Sequence, residues 1–108
     1  MTTTYKTLGQ SAPSATTLTT LYTVPAATSA VGSSLAICNR NSATTYRVAV
    51  RPAGAAIANQ HYIAYDVPIG DNESAFMTLG MTLATTDVVS VYAGSANMSF
   101  SLFGTEIS

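Results

Sequence analysis

The sequence predicts an all-β chain, a single-domain two-sheet β-sandwich of roughly seven to eight short strands with jelly-roll or Ig-like connectivity. Three observations lead there. Apolar residues recur at every second position in several short runs, the period of a strand with one packed face. Clusters of Asn, Asp, Gly and Pro punctuate those runs, as turns require. No run carries the apolar spacing of an amphipathic helix. With 108 residues the chain fits one sandwich, residues 1–108. A chain of this size buries roughly two-thirds of its unfolded surface.

The elements follow in order. Tyr5 to Gly9 reads as a weak first strand ended by Gln10, Ser11, Ala12 and Pro13, and residues 1–16 are expected to form an extended N-terminal arm. Thr17 to Val24 is Thr-rich and closed by Pro25. Val31, Ser33, Leu35 and Ile37 alternate with small residues, and Asn39 to Ser42 turns the chain. From Thr45 to Arg51, Tyr46, Val48 and Val50 share one face, with Arg47, Ala49 and Arg51 on the other. Pro52, Ala53 and Gly54 break that strand, and Ala55 to Gln60 has room for one helical turn. His61 to Val67 reads as a regular strand with Ile63, Tyr65 and Val67 opposite Tyr62, Ala64 and Asp66. A turn at residues 68–72 leads to strands Ala75 to Leu79 and Asp87 to Ala93. In the last strand, Met98 to Phe103, the side chains Met98, Phe100 and Leu102 share a face.

Composition bounds the function. Only 8% of residues are charged while 47% are hydrophobic, and the net charge is −1. An ordinary soluble domain carries about a quarter charged residues, which keep copies apart. Outward strand positions hold Thr and Ser, and strand edges without charge invite pairing with further chains. The expectation is a surface covered by neighbours. Four Lys and Arg residues against five acids argue against a nucleic-acid footprint. No apolar run approaches the roughly 18 residues of a membrane span. The start of the chain lacks the pattern of a secretory signal, and a lone Cys38 forms no internal disulfide. Synthesis in a reducing cytosol is expected.

Few residues offer chemistry. His61 is the only histidine, with no orienting carboxylate on its strand face, and is expected at a surface or subunit contact. Cys38 ends an apolar strand and is expected to be buried and inert. Asp66, Asp71, Asn72 and Glu73 surround a Pro-Gly turn; their spacing matches no EF-hand, and turn-forming residues need no ion. No enzymatic activity, metal or other cofactor is expected. Arg40, Arg47 and Arg51 lie in or beside one hairpin and suggest a docking surface, because Arg pairs bidentately with carboxylates. The Arg cluster and the Asp66, Asp71 and Glu73 turn are expected to set register between copies. Tyr62 beside Asp71 and Asn72 is the alternative, a carbohydrate- or receptor-binding site.

Several stretches taken together resemble a known group: Leu21 to Ala26, the hairpin Ile37 to Arg51, the strand His61 to Val67 and the ending Met98 to Ile107. They are similar to the small virion structural proteins of tailed bacteriophages, along nearly the whole chain. The Tyr-Thr-Val-Pro-Ala entry, followed by a strand, an Asn turn and an Ala-Thr-rich strand, recurs in phage β-sandwich modules. The resemblance implies a non-enzymatic capsid decoration or cement protein located in the virion. A tail, collar or baseplate accessory is the alternative. Its implied partners are capsid or tail proteins and further copies of itself, as a trimer or ring.

Overall fold

A computed structural model describes all of residues 1–108. Alternation of buried and open side chains sets eight strands: β1 (Thr3–Ser11), β2 (Thr19–Thr23), β3 (Ser29–Asn39), β4 (Thr44–Arg51), β5 (Tyr62–Ile69), β6 (Ser74–Leu83), β7 (Val88–Ala93) and β8 (Met98–Ile107). They form two four-stranded sheets with orders β1-β8-β3-β6 and β2-β7-β4-β5, and every strand pairing is antiparallel. The pairs β1–β8, β2–β7, β3–β6 and β4–β5 are nested, like one long hairpin with β4–β5 at its tip. Successive pairs fall in alternate sheets. That is jelly-roll connectivity, which excludes the immunoglobulin-like alternative.

The core lies between the sheets. Leu35 and Ile37 of β3 and Met98, Phe100 and Leu102 of β8 face Val48 of β4 and Val89 and Val91 of β7, all at 1% exposure or less. Tyr46 meets Phe100 edge to face across the sheets, with ring centroids 6.5 Å apart. Asn39 is buried at the end of β3, where its Nδ2 donates to the carbonyls of Ser42 and Gly70. Its Oδ1 accepts the Asn41 N–H, so one amide ties the β3–β4 turn to the β5–β6 turn. At one end of the sandwich the Tyr22 hydroxyl donates to Glu106 Oε2 at 2.5 Å, and Lys6 Nζ lies 3.3 Å from Oε1. The outermost residues also meet: Thr2 and Ser108 exchange two backbone hydrogen bonds of 2.7 and 2.9 Å.

Three expectations are corrected here. Residues 3–11 are the edge strand β1 and not a free arm, because the long β8 offers a full edge for them to pair with. The alternation expected from His61 to Val67 fails, because β5 shifts register twice against β4: Tyr62 pairs with Ala49, Ala64 with Val48, and Val67 with Tyr46. Each shift inserts an extra residue, so Ala64 and Val67 both reach the core side. Finally, the sheet edges are not open templates. All four edge strands, β1, β2, β5 and β6, carry a register shift, with Gly80 at φ +60° in the break of β6. Bulges of this kind twist an edge away from further pairing.

The Tyr22 hydrogen bond holds the Glu106 carboxyl below the ordinary carboxylate range, with Lys6 adding to the effect. Burial pushes the Tyr22 hydroxyl well above its usual value. A depressed carboxyl stabilises the fold above its unfolded value of about 4.3, and that contribution is lost as pH falls through the folded value. In Glu106→Gln, thermal stability is therefore expected to fall less between roughly pH 5 and pH 3 than in the parent chain. Parallel pH profiles of melting temperature would show that this contact carries no linkage.

Candidate binding surfaces

Two surfaces stand out, one on each sheet. On the outside of β1-β8-β3-β6, strand parity and register place Thr, Ser, Ala and other uncharged residues in every outward position. The two charged residues of these strands, Lys6 and Glu106, pair with each other at the inward-facing positions beside Tyr22. Three aromatic rings stand out of this neutral face: Tyr5 (83% exposed), Phe76 (75%) and Phe103 (38%). Tyr5 is level with Thr105, Phe103 with Ser34, and Phe76 with Ala36 and Ser101. The rings therefore run diagonally from β1 to β6, across three strand spacings or about 14 Å. Cys38 faces this side too, half-buried between Ser99 and Ser74, which corrects its expected place in the core.

The outside of β2-β7-β4-β5 is built differently. Segment 52–61 lies over part of it, with 3-10 turns at Pro52–Gly54 and Asn59–His61, and Ala49, Val88 and Ser90 beneath are buried. Arg51 fastens the segment by donating from Nε to Ser90 Oγ and from Nη1 to the Ala55 carbonyl. His61 is buried in the second turn, where Nδ1 accepts the Ala58 N–H at 3.0 Å. That corrects its expected surface position: the imidazole closes a turn.

Beside this cover, Arg47 donates to both carboxylate oxygens of Asp66, at 2.7 and 3.4 Å. Its guanidinium lies between two rings, 4.1 Å from the Tyr65 centroid and 4.3 Å from that of Tyr92. Tyr62 packs edge to face on Tyr65 at 4.9 Å. The register shifts of β5 make this contact, since a regular strand puts these two tyrosines on opposite faces. Asp66 sits at φ +49°, a left-handed conformation that Asp adopts more readily than most residues. Tyr62, Tyr65 and Asn59 line an open concavity of about 370 Å³.

Among the residues singled out from sequence, Arg47, Asp66 and Tyr62 thus come together. The others do not join them. Arg40 donates to the Ala96 carbonyl, Asp71 accepts the Ala43 N–H and Glu73 accepts the Gly70 N–H. Tyr62 and Asp71 lie at opposite ends of β5, roughly 25 Å apart along the strand, so the expected Tyr62–Asp71–Asn72 sugar site is not formed. Tyr65, Tyr92, Asn59 and the aromatic diagonal were missed. Phe76 and Phe103 did leave a signal: each is out of phase with the inward alternation of its neighbours. Comparison with protein-family models, curated proteins and solved structures finds no match.

Proposed function

We propose that this chain is a non-enzymatic structural subunit of a tailed-phage particle, of the capsid decoration or cement type, held in multi-copy contact through its neutral sheet face. The observation that carries the adhesive role is the charge-free outer face of β1-β8-β3-β6 with its three exposed rings. The phage setting rests on the sequence resemblance, and a jelly roll is a fold that capsid proteins use. The only histidine is engaged in closing a turn, which supports a role without catalysis.

A second copy of the chain is the partner this face suits. Four strands at about 4.8 Å spacing and about 3.3 Å per residue present roughly 500–600 Å². That is near the lower end of specific interfaces, which bury about 600–1,000 Å² per partner. Two such faces meet with no unpaired charge, and face-to-face contact about a two-fold axis closes on itself. The bulged edges leave the faces, not the rims, as the means of contact. A single contact of this size is weak, and many copies on one particle strengthen it through effective concentration. This differs from the sequence expectation that the Arg cluster and the acidic turn set register between copies, because Arg47 and Asp66 pair within one chain.

Sedimentation velocity across a concentration series tests the contact. Reversible association is expected, with Phe76→Lys raising the dissociation constant at least about tenfold, or 1.4 kcal/mol. Because Phe76 is exposed, its replacement is expected to change folding stability by no more than about 0.5 kcal/mol. A parent chain that stays monomeric at near-millimolar concentration removes the homotypic contact. The neighbouring genes test the setting: head or tail genes support it, and their absence on both sides counts against it.

A further inference from the structure

We propose that the tyrosine–arginine stack on the second sheet is a binding site for a neutral hexose ring. The concavity lined by Asn59, Tyr62 and Tyr65, about 370 Å³, lies at the small end of ligand pockets, which run from about 300 to 1,000 Å³. One or two sugar rings suit that size. A pyranose ring offers a flat array of C–H groups with slight positive charge, which stack on the electron-rich face of an aromatic ring. Tyr65 supplies such a ring. Arg47 lies against it at 4.1 Å, yet Tyr65 stays 56% exposed.

Sugar hydroxyls need both donors and acceptors. The Asn59 amide provides both, and the Tyr62 hydroxyl does the same. Asp66 keeps lone pairs beyond the two bonds it accepts from Arg47. The charge of Arg47 is matched by Asp66, so no free cation is left to attract an acidic ligand. The stack therefore selects neutral sugars over sialic acids or phosphates.

The site is also pre-ordered. Arg47 is clamped between two rings and forked on a carboxylate, and Tyr62 meets Tyr65 at 83°. Rings held this way lose little side-chain freedom on binding. Two register shifts within one eight-residue strand turn both tyrosines outward, and bulges commonly re-aim side chains at functional positions. Because this surface lies on the sheet opposite the neutral face, its failure and the failure of the assembly reading are separately visible.

The test is a titration of the full chain with methyl β-galactoside, methyl β-glucoside, lactose and sialyllactose, followed by amide chemical shifts. At least one neutral sugar is expected to bind with a millimolar-range dissociation constant, shifting residues of β5 and segment 52–61. Tyr65→Ala is expected to weaken that binding at least about tenfold, and Tyr65→Phe to keep it within about twofold. Asn59→Ala, which leaves the stack intact, is expected to weaken binding with no change in melting temperature. Silence from every sugar, shifts that survive Tyr65→Ala, or tighter binding of sialyllactose than of lactose overturns the proposal.

Discussion

Replacing Phe100 by Ala is expected to remove about 3–5 kcal/mol of folding stability. The ring is 1% exposed near the start of β8, and it touches Tyr46 of the opposite sheet edge to face. Truncation removes the buried ring and leaves a cavity that two hydrogen-bonded sheets cannot close, since each strand is held by its neighbours. Small domains have only about 5–15 kcal/mol in hand, so the variant stands at the edge of folding. Phe100→Leu keeps much of the volume and serves as the measurable companion, with an expected loss of about 1–2 kcal/mol. Urea unfolding monitored by circular dichroism reads both, with slopes unchanged between variants. A loss under about 1 kcal/mol in Phe100→Ala would show that the core closes around the gap.

Asn39→Ala is expected to cost about 2–4 kcal/mol, although it removes a polar side chain. The residue is 1% exposed, and its amide donates to the carbonyls of Ser42 and Gly70. Without Nδ2 those carbonyls lose their shared donor, each at about 1–3 kcal/mol where water does not replace it. Asn39→Asp separates shape from hydrogen bonding. It keeps the size but turns two donors into an acceptor facing two carbonyl oxygens, so it is expected to be at least as destabilising as Ala. Amide exchange adds a local readout: faster exchange at Asn41 and Asn72, whose N–H groups bond within these turns, is expected in both variants. An Asp variant as stable as the parent would remove the clamp from the account.

The strands were legible because one buried face writes itself into sequence at every second residue. Tyr46, Val48 and Val50 in β4 and Met98, Phe100 and Leu102 in β8 are examples. Their extension was less legible. β6 runs on to Leu83, with Met81 and Leu83 in the same inward phase as Ala75 and Met77; what strict alternation does not foresee is the break beside Gly80, which leaves Leu79 exposed. Connectivity was not legible at all. The pairing of Thr3 with Ile107 joins the ends of the chain, and no local pattern records it.

The candidate sites follow the same division. Arg47, Tyr62 and Asp66 were visible as the few polar or aromatic side chains on two adjacent strands. That Tyr65 and Tyr92 enclose Arg47 depends on two register shifts in β5 and on the Arg47–Tyr92 pairing of β4 with β7. Only one trace of the shifts exists in sequence: Ala64 and Val67, both needed by the core, are three residues apart instead of two. The neutral face was foreseen as a shortage of charge, but not as a single diagonal of rings, because composition carries no direction.

The reciprocal bonds between Thr2 and Ser108 bring the two chain ends to one corner of the sandwich. A short peptide bridge from Thr2 to Ser108 spans that gap, so residues 1–108 lend themselves to circularisation. Any cargo fused to either end projects from the same place, beside β1 and β8 and on the opposite sheet from Tyr65. A reporter attached there would crowd the rings at Tyr5 and Phe103 while leaving the second sheet free.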